Sequence, residues 1–317
     1  MRRENLAIVS KLRGKPKILW LGVFLVPLVV LFAMKFYWIP KVIFYSDDPF
    51  TLLSKEDFYN EVWASKTSGA CATFGSPVVS ESILDMPEAS GVAITNLHKD
   101  RLYHVNDSGN ESKAFLFNMK SMVEEERIKL PESQDIEAMD QGPCGNHHCI
   151  YVADTGSNFS FRKSLRLFRF REGAVNSIEN LELKFEDGVP DIEAMAVHPS
   201  SGGIYLFSKE LISRVFYIDP NISWGSSVEA RLIDNIRFKK PTGASFSPDG
   251  KFLYLINYRE LTEFTWPESS LRRLITHEKL FQVEALAVLA NGSIIYTSEK
   301  SPLRSDLKNL AAVPCKP

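Results

Sequence analysis

Beyond residue 87 the chain is built from runs of five or six residues in which apolar side chains recur at every second position, separated by turns rich in Gly, Asn and Pro. Leu165-Arg166-Leu167-Phe168-Arg169-Phe170 is one such run, and Val215-Phe216-Tyr217-Ile218 is a shorter, wholly apolar one. A period of two belongs to β-strands, and the intervening turns, such as Ser247-Pro248-Asp249-Gly250 and Ala290-Asn291-Gly292, suit antiparallel connections. Before these runs, the amphipathic stretch from Leu53 to Trp63 reads as a helix within a stalk.

The strand pattern repeats. Five segments open with Ala89-Ser90-Gly91-Val92-Ala93, Asp135-Ile136-Glu137-Ala138-Met139, Asp191-Ile192-Glu193-Ala194-Met195, Pro241-Thr242-Gly243-Ala244-Ser245 and Gln282-Val283-Glu284-Ala285-Leu286. Each leads through a turn into a second strand, at Arg101 to Val105, Cys149 to Ala153, Gly203 to Phe207, Phe252 to Ile256 and Ser293 to Thr297. Small antiparallel sheets recurring at a period of about 41 to 55 residues predict an all-β fold, a single β-propeller, because each sheet buries its faces only against its neighbours. Five blades are expected, with a degenerate sixth in residues 219–240 as the alternative. Ring closure calls for a strand drawn from the segment Cys71 to Ile83 to complete the last blade.

The N-terminus breaks this pattern. From Ile18 to Met34 the chain is uncharged and almost wholly apolar, and Phe36, Tyr37, Trp38 and Ile39 extend the run past Lys35. This is long enough to span a bilayer, with the aromatic residues at the interface and Pro27 tolerated inside. Six basic residues against Glu4 alone precede the span, so that end is expected to stay cytoplasmic. The predicted organisation is a cytoplasmic tail (1–17), a transmembrane signal anchor (18–39), a stalk (40–70) and a lumenal or extracellular propeller (71–317). A cleaved signal peptide is the alternative, but the run is longer than an ordinary leader core and lacks a small-residue cleavage site.

A single-pass type II topology places the rest of the chain in the secretory pathway or at the cell surface. There, Asn106, Asn110, Asn158, Asn221 and Asn291 are candidate glycosylation sites in Asn-x-Ser triplets. The four cysteines, Cys71, Cys144, Cys149 and Cys315, would all meet an oxidising lumen. The expected pairs are Cys144 with Cys149, around Gly145-Asn146-His147-His148, and Cys71 with Cys315, tying the propeller's start to its end. Zinc on those histidines and cysteines fits no common finger spacing.

Composition narrows the partners. With 44% hydrophobic residues, and 37 basic against 39 acidic residues for a net charge of −2, the chain is neither disordered nor a basic nucleic-acid binder.

The chemistry rests on polar residues that recur with the repeat. The first strand of each propeller blade lines the channel, so Ser90, Glu137, Glu193, Thr242 and Glu284 form a ring of oxygen ligands, three of them anionic. Converging carboxylates need a cation or protons, and an all-oxygen set suits calcium; a solvated acidic channel is the bland alternative. A second set follows at the end of the second strand. There Lys209, Arg259 and Lys300 are candidates to bind an anionic substrate, and Asp107, Asp154 and Glu299 are candidate catalytic residues. Such residues also commonly form only hydrogen bonds between blades or turns.

Ser90-Gly91-Val92-Ala93 with Asn106-Asp107-Ser108-Gly109, Asp135-Ile136-Glu137-Ala138-Met139 with Asp154-Thr155-Gly156-Ser157-Asn158, and Asp191-Ile192-Glu193-Ala194-Met195 resemble the ordered motifs of a family of secreted bacterial β-propellers. Ile136 stands where that family has Trp, and Thr155 and Ser157 interrupt its Asp-Ile-Gly-Asp-Asn element. The central order Ser, Glu, Glu, Thr, Glu is also similar to the calcium site of the five-bladed calcium-activated nucleotidases, or apyrases. That resemblance implies Ser90, Glu137, Glu193, Thr242 and Glu284 as calcium ligands, but their arginine-rich substrate motifs have no counterpart here.

Two functions compete: a calcium-dependent hydrolase of small phosphate-containing anions, and a non-catalytic module with a structural calcium or polar channel that binds another lumenal glycoprotein. A glycoside hydrolase using Glu137 and Glu284 ranks third, since no tryptophan cluster for sugar flanks them.

Overall fold

The computed structural model describes residues 77–310 except 80–87, 99, 108, 110, 122, 158–161, 277–281 and 302–303, with backbone alone at 77–79, 275–276, 298–301 and 304–310. The expected tail, span and stalk, together with Cys71 and Cys315, lie outside the described residues. Among the described residues no helix is long and apolar enough to cross a membrane.

The fold is all-β and propeller-like, with 21 strands in five sheets among the described residues. The short β1 (Pro77–Val79) comes first in the chain. The first sheet is β2 (Ala89–Ile94), β3 (Arg101–Asn106), β4 (Lys113–Asn118) and β5 (Glu124–Lys129), in that order. The second is β6 (Ile136–Cys144), β7 (His147–Asp154), β8 (Leu165–Arg171) and β9 (Ala174–Lys184). The third has β10 (Ile192–Val197), β11 (Ile204–Ser208) and β12 (Ser213–Ile218), after which β13 (Ser227–Glu229) leaves to run parallel to β9 and β14 (Arg231–Ile236) returns beside β12. The fourth is β15 (Gly243–Phe246), β16 (Phe252–Ile256), β17 (Glu260–Thr265) and β18 (Leu271–Thr276). The fifth is β19 (Val283–Val288), β20 (Ile294–Ser301) and β21 (Arg304–Leu310), finished by β1.

The first strands pack in a closed circle, β2 against β6, β6 against β10, β10 against β15, β15 against β19, and β19 against β2. Pro77 pairs with Leu310 and Val79 with Lys308, so the N-terminal strand completes the last sheet. Residues 219–240 hold β13 and β14, edge strands of the second and third sheets, and not a sheet of their own.

The pleat explains why both faces of a strand can be apolar. On β7, Ile150 and Val152 join Tyr103, Val105 and Leu116 of the first sheet, whereas Tyr151 and Ala153 join Met195, Leu206 and Phe216 of the third. On β8 the same division sends Phe168 and Phe170 one way and Leu165 and Leu167 the other. Successive side chains leave a strand on opposite faces, so one strand supplies two inter-sheet cores. The cores therefore lie between sheets, and the entrances to the first strands are left to polar residues.

Candidate functional site

The polar ring residues sit at a repeated backbone irregularity. Pairing of β2 with β3 shifts between Ala89 and Gly91, of β6 with β7 between Ile136 and Ala138, of β10 with β11 between Ile192 and Ala194, and of β19 with β20 between Val283 and Ala285. The skipped residues are Ser90, Glu137, Glu193 and Glu284. A bulge leaves one residue out of the ladder and re-aims its side chain, which is how a buried strand can present a carboxylate. In the fourth sheet Thr242 lies just before β15, and its N–H donates to Ile256 O at 2.8 Å.

Ser90 and Thr242 stitch the ring together. Ser90 Oγ donates to the Glu137 carbonyl of the next sheet at 2.9 Å, and Thr242 Oγ1 donates to the Val283 carbonyl of the next sheet at 2.5 Å. Thr155 Oγ1 makes the equivalent bond to Ile192 O, at 2.8 Å. Glycine follows the first two for a steric reason: a Cβ on Gly91 would lie 2.5 Å from Met139 N, and one on Gly243 2.9 Å from Leu286 N.

The glutamates separate into two neighbourhoods. Lys209 Nζ donates to Glu193 Oε2 at 2.5 Å and to the Tyr258 hydroxyl at 3.4 Å, and Tyr258 donates to Glu284 Oε1 at 2.9 Å. Burial opposes the Lys209 charge, but Glu193, Tyr258, Glu284 and Glu137 outweigh it and hold the ammonium well above its usual range. On the other side, Asp107, Asp135 and Glu137 each offer an oxygen within 4.8 Å of the others. Burial, then Glu193, Asp107 and Asp135, push the Glu137 carboxyl well above the usual range. Asp191 is raised to about 6, by burial first and Glu193 next, although Ser157 N–H donates to its Oδ1 at 2.8 Å.

The strand-end set divides by alternation. Asp154, fully buried, accepts Gln134 N–H and Asp135 N–H at 3.1 and 2.9 Å, Arg162 Nη1 at 3.0 Å and Arg166 Nη2 at 2.7 Å. Asn257 Nδ2 donates to Lys239 O at 2.8 Å, and its Oδ1 accepts from Arg259 N and Glu260 N. Asp154 and Asn257 thus clamp the segment that enters their own sheet. The residues one step later face the centre: Asp107, Thr155, Lys209 and Tyr258. The expected catalytic Asp154 is a clamp, the expected substrate-binding Lys209 is an internal counterion, and Arg259 is exposed. The side chains of Glu299 and Lys300 lie outside the description.

Asp135, Asp191, Thr155 and Tyr258 were not among the expected site residues. The duplicated Asp-Ile-Glu-Ala-Met carries the signal for both aspartates. The Cys144–Cys149 disulfide is present. Asn106 is 9% exposed, with its Oδ1 enclosed. Asn221 and Asn291 are exposed, and Asn110 and Asn158 lie outside the described residues.

The chain matches no protein-family model and no curated protein at significant similarity. The propeller-like arrangement of sheets is therefore what stands of the family resemblances.

Proposed function

We propose that this is the lumenal or extracellular domain of a type II membrane glycoprotein, a propeller-like binding module whose channel holds calcium off-centre, at Asp107, Asp135 and Glu137. The observation that carries this reading is the approach of those three carboxylate oxygens to within 4.8 Å of one another. Like charges at that distance in a partly buried site favour a divalent cation or protons, and oxygen-only ligands at irregular geometry suit calcium better than magnesium. The apyrase-like order of ring residues supports the same ion. Ser90 and Thr242 contribute by joining sheets around the site.

A binding role is favoured over phosphohydrolysis because Asp154 is held by Arg162 and Arg166, and Lys209 by Glu193. These groups would otherwise supply the base and the anion-holding charge.

The test is metal analysis and thermal melting of the full-length chain in mild detergent, with calcium and then with a chelator. One bound calcium and a fall in melting temperature on chelation, both lost in Asp135→Asn and Glu137→Gln, are expected. Wild-type protein without metal or chelator response overturns the calcium site. Calcium-dependent phosphatase or nucleotidase activity that disappears in Asp107→Asn restores the enzyme reading.

A further inference from the structure

The end of the sheets away from the polar ring carries a second polar concavity. Three hairpin turns meet there: the turn after β2, the β6–β7 hairpin closed by Cys144–Cys149, and the β8–β9 turn. They flank an open cleft of about 450 Å³, within the range of small-ligand sites. Leu97 and Pro143 supply an apolar side, and Asn146, His147, Arg171 and Glu172 a polar one.

The polar groups are unequally committed. Glu172 is buried, and its two oxygens accept the Asn96 N–H at 3.0 and 3.1 Å, fixing the first sheet's turn to the second sheet. Arg171 and His147 are exposed, and among the described residues Arg171 has no carboxylate partner and the His147 ring no hydrogen-bond partner. Leu97, 57% exposed, stands over Gly173 at the rim, where a Cβ on the glycine would lie 3.4 Å from Leu97 Cδ1. The disulfide restrains the backbone of the hairpin that carries Asn146 and His147, so that what is left to order when a ligand arrives is limited to their side chains.

We propose that this cleft binds a small amphipathic anion, a carboxylate or phosphate on an apolar body. Arg171 takes the charge through its planar fork of donors, with Asn146 and His147 donating beside it. Leu97 and Pro143 cover the apolar body. Glu172, turned into the neighbouring amides, keeps the ligand's charge on the Arg171 side. The site is separate from the central carboxylates and does not depend on a metal there.

Equilibrium dialysis of the full-length chain in mild detergent against benzoate and phenyl phosphate, with benzyl alcohol as the neutral control, tests it. Saturable binding of at least one anion at millimolar concentration is expected, with benzyl alcohol clearly weaker. Arg171→Gln is expected to weaken the anion by about tenfold or more, the loss of one charge-assisted hydrogen-bond set. Leu97→Asp, at an exposed position, is expected to do the same by repulsion. Absence of saturation by either anion, equal binding of benzyl alcohol, or unchanged binding in a folded Arg171→Gln protein overturns the proposal. If Arg171→Gln fails to fold, unchanged binding in Leu97→Asp overturns it instead.

Discussion

The Lys209 ammonium lies 2.5 Å from Glu193 Oε2, and both residues belong to the β10–β11 hairpin, 16 positions apart. Glu193 is 2% exposed and Lys209 19%, so the pair is a largely desolvated ion pair. Such a pair adds little net stability over a well-packed apolar pair, but leaving one charge behind is costly. Lys209→Met is therefore expected to destabilise the protein by about 3–5 kcal/mol, and adding Glu193→Gln to recover most of the loss. Urea melts of the wild type, the single variants and the double variant measure the coupling. Additive effects would mean that the two charges do not depend on each other.

A steric change can test the proposed calcium site without removing a charge. An added Cβ on Gly156 would fall 2.3 Å from Asp135 Oδ2 and 2.4 Å from Glu137 Oε1, so Gly156→Ala must displace both carboxylates. Calcium affinity is expected to fall by about tenfold, the usual scale for disturbing the groups that orient a metal's ligands. Calorimetric titration of calcium into the variant measures this. Undiminished affinity would place the ion elsewhere in the channel.

The repeat could be read because every sheet begins with the same local sequence, a polar residue followed by Gly or Ala and then a mostly apolar run, and in four of the five sheets that polar residue sits at a bulge. Closure by Pro77–Val79 was also foreseeable, since a ring needs its ends joined. The division of labour at the centre was not. Asp154 and Lys209 occupy neighbouring strand-end positions in their repeats, and only the pleat sends one into its own sheet and the other toward Glu193. The bond that Ser90 Oγ donates to a carbonyl of the adjacent sheet was not legible either. Which side of a strand a residue takes at a bulge depends on backbone geometry that residue type alone does not encode.

The disulfide makes a separate prediction. It joins positions five apart, so the chain it restrains is short, and chain-entropy reasoning gives about 2 kcal/mol for a loop of that size. Cys144→Ser with Cys149→Ser is expected to lower stability by about that amount and leave calcium binding intact. A denaturant melt paired with calcium titration checks both halves. Loss of calcium binding in a folded variant would mean that the hairpin supports the central site as well as the distant cleft.

The channel wall also predicts how stability depends on pH. Burial raises the Asp140 carboxyl from 3.8 to about 7, although Val197 N–H donates to its Oδ2 at 2.7 Å and the Gln141 amide also favours the charged form. A carboxyl with a raised folded-state value binds its proton more tightly folded than unfolded, so stability falls as pH rises from about 4 to about 7 and levels off above that. Asp191, raised to about 6, acts in the same direction over the lower part of the window. Buried His104 opposes them, because burial lowers it from 6.5 to about 4, and its contribution is lost as pH falls through that interval. Between about pH 7.5 and 6.5 the carboxyls outweigh His104, which by then has begun to take up its proton only in the unfolded chain, and mild acidification in the presence of chelator is expected to raise the melting temperature. Asp140→Asn retains an acceptor for Val197 N–H but has no charge to desolvate. It is expected to be more stable than wild type at pH 7.5 and to show a flatter profile down to about 6.5. Thermal melts of both proteins across that interval decide the matter: identical slopes would mean that Asp140 is already ionised in the folded protein.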